Sequence, residues 1–252
     1  MGTKDVAGEL ENIAASIEVL QRRAMAVQQM RHLMTAHYRD VLETPDLQRI
    51  IENNTWLFGP RYETLGAEED RFTDIVRKLR DQVQGPTKDE DGDGACEIPG
   101  GNRQADLFLA RKFPTFDSFG QQIYKCIVVE IKRPAVSLNK RHLRQLEDYA
   151  EIIKSVPEFQ SERMHFELIL IGRQFASNDV LIKSRLNGAA GRGEMGLVSD
   201  DPRMKLYVMN WYSLLDSFDL TNGFMLEKLK MKRAELESKT KSQLVAELQV
   251  AH

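Results

Sequence analysis

Cysteine is scarce in this chain: two residues in 252, Cys96 in a Gly/Asp-rich loop and Cys126 in an apolar run. That excludes a disulfide-stapled secreted scaffold and fits a reducing, cytoplasmic setting. Long hydrophobic runs are missing too. No stretch approaches eighteen apolar residues, so no helical membrane span is expected, and the N-terminus lacks the apolar segment of a secretory signal. The five histidines, His32, His37, His142, His165 and His252, show no metal-ligand spacing with either cysteine, which argues against a zinc site. No G-x-S-x-G nucleophile motif occurs. The net charge is only −3, too small and of the wrong sign for a whole-molecule polyanion binder. With 42% hydrophobic and 29% charged residues, the chain has enough apolar material for a buried core.

Charge is present, but unevenly. Residues 125–144 hold Lys125, Lys132, Arg133, Lys140, Arg141 and Arg144 against Glu130 alone, whereas residues 63–97 hold eleven acids against five bases. A polyanion would meet the first segment and avoid the second. Residues 5–43 read as one long helix with apolar or small residues at Leu10, Ile13, Ile17, Leu20, Ala24, Val27, Met34, Tyr38 and Val41, and with Arg31 as the only break. This heptad seam predicts a coiled-coil arm that assembles copies of the chain; the alternative is a long helix packed on its own domain. Thr44-Pro45 is expected to cap and begin a second helix carrying Leu47, Ile50 and Ile51. A further helix is expected over 67–84, strands over 105–111, 124–132 and 165–172, and a helix over 138–154 with Leu143, Leu146, Ala150 and Ile153 inward. A strand from 205 should run into a short helix by 215, followed by a charged helix over 223–248. The order predicts an α/β fold, a mixed sheet flanked by helices.

Two motifs mislead. In "DEDGDG", Asp89, Asp91, Asp93 and Gly94 match the start of an EF-hand loop, but the twelfth position is Gly100 rather than a bidentate Glu. In "GRGEMGLV", Gly191, Gly193 and Gly196 match a nucleotide-binding glycine pattern with no helix start after it, so the segment reads as a flexible connection.

The informative stretch is "CIVVEIKRP", Cys126 to Pro134. On a strand, Ile127, Val129 and Ile131 share one face and Val128, Glu130 and Lys132 the other. That second face is either an active-site edge or simply a solvent-facing strand, and in either case a solvent-facing Lys132 is expected to add little stability. Asp106 opens the preceding strand, 24 positions before Glu130. Adjacent strands can bring two such carboxylates together, and paired carboxylates suit Mg²⁺ while leaving positions for water and a phosphate oxygen. Asp106, "VVEIK" and a helix bearing Gln145 and Tyr149 resemble the PD-(D/E)XK nuclease superfamily. More narrowly, "IIENNTWLFGPRYE", "RQADLFLAR", "VVEIKRP" and "LRQLEDYAEII" resemble the Shedu family of bacterial anti-phage nucleases, over roughly residues 45–172 with the strand to 215 as an extension.

The resemblance implies a restriction-endonuclease-like fold over 44–220, between the arm (1–43) and a C-terminal helix (221–252). It implies Mg²⁺ (or Mn²⁺) held by Asp106, Glu130 and the Ile131 carbonyl, with Lys132 as catalytic lysine. Glu52 would be the first-helix acid, and Gln145 and Tyr149 would touch substrate phosphate or Lys132. Arg133, Lys140, Arg141 and Arg144 would contact DNA phosphates with little base specificity. The implied protein is a cytoplasmic DNA endonuclease acting on phage or foreign DNA, homo-oligomeric through its helical arms. The Met-Gly-Thr start before a bare coiled coil also raises the expectation of a sensor or ATPase part beyond this chain. Two alternatives stay open: a non-catalytic DNA-binding or assembly module on the same fold, and a nuclease acting on RNA.

Overall fold

A computed structural model describes residues 2–58, 62–67, 107–111, 115–117 and 119–238. The expected helix over 67–84 from residue 68 on, the acidic loop with Cys96, Ala105 and the candidate ligand Asp106 lie outside the described residues; Ala67 ends a strand. The chain divides into two compact units: one of residues up to Ala36 together with those from Tyr212 on, and one of His37–Trp211.

The first unit is a helical hairpin. Helix α1 spans Gly2–Ala36 and α5 spans Trp211–Ser238. The seam expected on α1 is there, with Ile13, Ile17, Leu20, Val27 and Met34 buried. Its cover comes from the same chain: Leu10, Ile13 and Ile17 pack with Leu226 and Leu229 of α5. Arg31 reaches Asp216 and Asp219, and Tyr212 Oη donates to the Met34 carbonyl at 3.1 Å, so the two helices run antiparallel. Apolar burial needs a partner surface, and here the partner is intramolecular. The ground for an oligomer, a seam left bare, is thereby removed over this stretch. Arg31, the break in the seam, is a partner of two acids on α5. The helix also stops at Ala36, so Tyr38 and Val41 leave the seam and enter the second unit.

In the second unit, Glu43–Leu47 forms one π-helical turn that continues into α2, Gln48–Glu52. The turn is entered through Leu42, whose N–H donates to Asp46 Oδ2 at 2.9 Å. Pro45 fits inside because a first-turn N–H has no helical partner to lose. Next come β1 (Tyr62–Ala67), β2 (Leu107–Arg111), β3 (Thr115–Phe116), β4 (Gln122–Ile131) and β5 (Ser137–Leu138). Helix α3 (Lys140–Ser155), β6 (Met164–Gly172), β7 (Gln174–Phe175), α4 (Val180–Ala189), β8 (Leu197–Asp201) and β9 (Met204–Asn210) complete it.

The main sheet has the order β1-β2-β4-β6-β9-β8, with β3 also paired to β4. Strands β1, β2 and β4 are antiparallel neighbours; β4, β6 and β9 run parallel; β8 returns antiparallel to β9. The architecture is mixed α/β, as the sequence predicts. Parallel neighbours require crossovers, and α3 and α4 lie on those connections. Strands β4 and β6 are central, and their apolar runs are buried on both faces, which explains why "CIVVEI" and "LILI" read as continuous rather than alternating.

Helix α3 is fixed at its start: Arg141 N–H donates to Asn139 Oδ1 at 2.9 Å, and Asn139 N–H donates to His142 Nδ1 at 3.2 Å. Leu143, Leu146, Ala150 and Ile153 face the core as expected, and Tyr149 and Ile152 join them. The "GRGEMGLV" segment is not a loose connection. Gly196 sits at φ +79°, where a Cβ would stand 2.9 Å from the Val208 carbonyl oxygen, and Val208 N–H donates to the Gly196 carbonyl at 2.7 Å. Glu194 is held by Tyr207 Oη and Lys205 Nζ. Only glycine fits such a turn without strain.

Candidate active site

Strand β4 delivers Glu130 and Lys132 to its C-terminal end. The alternation on β4 is as expected, but the face holding Val128 and Glu130 is not in water. Val128 lies in the core cluster with Leu146 and Tyr149 of α3. Glu130 is therefore 2% exposed, and the reading of this segment as a solvent-facing strand is overturned. Burial of a carboxylate is costly unless donors surround it. Here they do. Lys132 Nζ and Gln145 Nε2 each donate to Glu130 Oε1 at 2.5 Å, and Tyr149 Oη donates to Oε2 at 3.0 Å. Gln145 Nε2 also lies 3.1 Å from Tyr149 Oη. The i, i+4 spacing stacks Gln145 and Tyr149 on one stripe of α3, directly over the strand end.

Burial pushes the Glu130 carboxyl above the usual range, and the adjoining Lys132 ammonium and Tyr149 hydroxyl oppose it. His142 heads the same stripe, but its Nδ1 is engaged as the acceptor that caps α3. Burial, and then the Lys132 charge, keep this imidazole below its ordinary range and so favour that neutral acceptor form.

A second carboxylate reaches the lysine. Glu43 Oε1 accepts from Lys132 Nζ at 3.3 Å, and Glu43 Oε2 accepts the Arg133 backbone N–H at 3.0 Å. Lys132 thus sits between two acids, with its side chain 12% exposed against 3% for Glu130 and 33% for Glu43. This corrects the expectation of a solvent-facing lysine. Glu43 was not anticipated. An acid just before Thr-Pro reads as ordinary first-turn charge, and nothing in its spacing points to a lysine 89 residues on. Glu52, the acid expected from this region, instead accepts from Gln48 Nε2 of its own helix at 3.1 Å.

Ile131 closes β4 in register with Ile171, and Lys132 N–H donates to the Ile171 carbonyl at 2.8 Å. Arg133, Lys140, Arg141 and Arg144 are exposed. No ion pair engages the guanidinium of Arg133, Arg141 or Arg144 among the described residues. Among the described residues, no three acid, histidine or cysteine side chains converge as a metal-holding group. Asp106, the remaining acid of the expected ligand set, lies outside them.

The arrangement is a rigid, desolvated carboxylate with a lysine fixed beside it and neutral donors holding both in place. Such a group can hold a proton or a water, and its lysine, 12% exposed, can meet an anion. No family model matches the chain, and no curated protein and no solved structure matches it. No helix among the described residues is long and apolar enough to cross a membrane.

Proposed function

We propose that this chain is a Mg²⁺-dependent nuclease of the restriction-endonuclease-like kind, hydrolysing DNA phosphodiester bonds in the setting that the Shedu-like motifs imply, defence against phage. The observation that carries the reading is the buried Glu130 with Lys132 two residues on, at the C-terminal end of a central strand. A carboxylate desolvated to this degree rarely serves stability, because its removal from water costs several kcal/mol or more, on the order of what the ion pair returns. The sheet in which strands antiparallel on one side meet parallel strands at β4 is compatible with that fold.

The donor set has the chemistry a hard cation prefers: carboxylate and carbonyl oxygens and no soft ligand. Glu130, the Ile131 carbonyl and Asp106 would hold Mg²⁺ (or Mn²⁺), which when bound acts as a Lewis acid and makes a water nucleophilic near neutral pH. The chain's own residues do the rest. Gln145 and Tyr149 hold Glu130 in one orientation. Lys132 orients the attacking water and meets charge developing on the phosphate oxygens. Glu43 holds Lys132 at the strand end. Arg133, Lys140, Arg141 and Arg144 give a positively charged, sequence-blind approach for the strand. A homo-oligomer and a cytoplasmic location belong to the same proposal. Any assembly would use surfaces other than the covered seam, such as the exposed Leu220, Phe224 and Met231 of α5.

One observation favours a second reading, a binding or assembly module without catalysis: both Glu130 oxygens already accept protein donors. Plasmid nicking separates the two. The nuclease converts supercoiled DNA to open or linear form with Mg²⁺ and not with EDTA; a purified chain that binds plasmid and leaves it intact under both conditions supports the second reading. Replacing the plasmid by a folded RNA decides the polymer.

A further inference from the structure

We propose that Arg39 and Arg173, gathered on the ring of Tyr38, form a phosphate-binding subsite beside the Arg133–Val136 turn. The inference rests on the nuclease reading only for the identity of the polymer that supplies the phosphate.

The Arg173 guanidinium stands 4.1 Å from the Tyr38 ring centroid and the Arg39 guanidinium 5.5 Å. Two positive charges that share one ring lie within about 10 Å of each other, near the Debye length at moderate salt, and their repulsion is only partly screened. The usual relief is a carboxylate, yet among the described residues no ion pair engages either arginine. Neutral acceptors orient them instead. Arg173 Nε donates to the Pro134 carbonyl at 2.9 Å and its Nη2 to Gln174 Oε1 at 3.1 Å, while Arg39 Nε lies 3.1 Å from Tyr38 Oη. Nη1 of Arg173 and both Nη groups of Arg39 stay uncommitted among the described residues. A single arginine on a tyrosine is ordinary surface packing. Two on one ring, each with donors to spare and neither in an ion pair among the described residues, offer donors that a tetrahedral dianion or a phosphodiester oxygen would satisfy.

The position is as telling as the charge. Arg173 follows the end of β6, whose Ile171 pairs with Ile131 at the end of the neighbouring β4. Its bond to Pro134 ties it to the turn that leaves Lys132. A strand whose scissile phosphate lay at Lys132 would therefore carry a neighbouring phosphate over Arg173 and Arg39. Nothing in the spacing of residues 38, 39 and 173 indicates this cluster.

The test measures two probes on the full chain: a fluorescein-labelled 20-base-pair duplex by anisotropy over a salt series, and inorganic pyrophosphate by calorimetry at low salt. For Arg39→Ala and Arg173→Ala, we expect about a three- to tenfold loss of duplex affinity each and a salt slope smaller by about 0.9 for each phosphate no longer neutralised. Pyrophosphate heat should fall in both, and Lys at either position should restore most of the slope. Arg173→Ala also removes the bond to Pro134 and could disturb the turn; Arg39→Ala, exposed and bonded only to its neighbour, keeps the test decisive. Duplex binding by the wild type, unchanged in affinity and slope by both variants, overturns the subsite and leaves the nuclease reading standing. Pyrophosphate binding lost in both variants, from a chain that neither binds nor cuts duplex, keeps the subsite and removes the nuclease reading. A wild-type chain that binds neither probe overturns the subsite.

Discussion

In the helical hairpin, Arg31 meets Asp216 and Asp219 with side chains 30%, 61% and 52% exposed; in the α/β unit, Lys132 meets Glu130 at 12% and 3%. The same pairing of charges has different consequences in the two places. At the hairpin surface, water screens the ions whether or not they touch, so the pair adds little and its loss costs little. At the end of β4 the pair is largely shielded from water, so each ion depends on the other and on Glu43, Gln145 and Tyr149 around it. The hairpin is held by Ile13, Ile17 and the leucines opposite them, and its charges are incidental. The strand end keeps a charge that a core of the same size would not need, together with three donors aimed at it. Packing explains the first arrangement; the second is the one that the proposed nuclease chemistry would use.

The sharpest way to break that contrast is to remove the lysine. Lys132→Ala should lower nicking by about 10²- to 10⁴-fold, the usual range for a positioned acid–base group. It should also destabilise the fold by about 3–5 kcal/mol, because Glu130 keeps its burial and loses its countercharge. Urea unfolding measures the second effect. The double variant Glu130→Gln with Lys132→Met should recover most of the stability and none of the cleavage. If Lys132→Ala unfolds like the wild type, the strand end is not desolvated as described and the contrast fails.

On the hairpin side the large effect should be apolar. Ile17 is 6% exposed and packs in the cluster with Leu226 and Leu229. Ile17→Ala should cost about 2–3 kcal/mol, the low end for a large-to-small core change, since a helix pair can partly close the gap. The loss should show as reduced helical signal on mild heating. Nicking per folded molecule should stay at the wild-type level. A cleavage defect equal to that of Lys132→Ala would show that the two regions are not functionally separable.

Much of this contrast is legible in the sequence, and the illegible part has physical causes. The period-2 alternation of β4 and the period-3.6 stripe of α3 place Glu130, Lys132, Gln145 and Tyr149 correctly relative to their own backbones. What periodicity cannot say is which face another element covers, so Glu130 and Lys132 read equally well as solvent-facing. Heptad spacing has the same blindness: the seam through Ile13 and Ile17 demands a partner without specifying that α5 of the same chain is that partner. Glu43, Tyr38 and Arg173 are harder still. Each meets a partner across a sequence gap that no local pattern spans, and each stands at the edge of an element, where capping and packing decide direction. The strand β8 escapes because "GRGEMGLV", which runs into it, has the composition of a loop, although Gly196 is there for a tight approach to Val208.

A smaller effect on the α/β side sharpens the role of buried acids that are purely structural. Asp179 is 8% exposed and caps two helices at once: Ile182 N–H of α4 donates to Oδ1 at 3.1 Å and Lys140 N–H of α3 to Oδ2 at 2.5 Å. Burial alone would raise its carboxyl, but the Ile182 and Lys140 amides outweigh it and hold the group below its ordinary range. A depressed folded value means the ionised acid contributes stability above the unfolded pKa of about 3.9, lost as pH falls through the folded value. Asp179→Ala should cost about 1–2 kcal/mol at neutral pH. The difference between wild type and variant should shrink in acid, measured by urea unfolding at pH 7 and pH 3. A difference that grows in acid would contradict the capping role.

The smallest effect should come from the exposed ion pair of the hairpin. Arg31 interrupts the heptad seam and would be the obvious target of a stabilising design, since a leucine there completes the apolar stripe. Its bonds to Asp216 and Asp219, at 2.6 and 2.8 Å, are geometrically good, but both acids are more than half in water. An exposed pair of this kind is worth about 0.2–1 kcal/mol. Arg31→Gln should therefore lower stability by less than about 1 kcal/mol, and 1 M salt should lower the wild type toward the variant by the same amount, because screening removes what the mutation removes. Thermal unfolding at low and high salt reads both. A loss of several kcal/mol, insensitive to salt, would mean that Arg31 is shielded from water after all. The hairpin would then hold a buried charge of the same kind as Glu130.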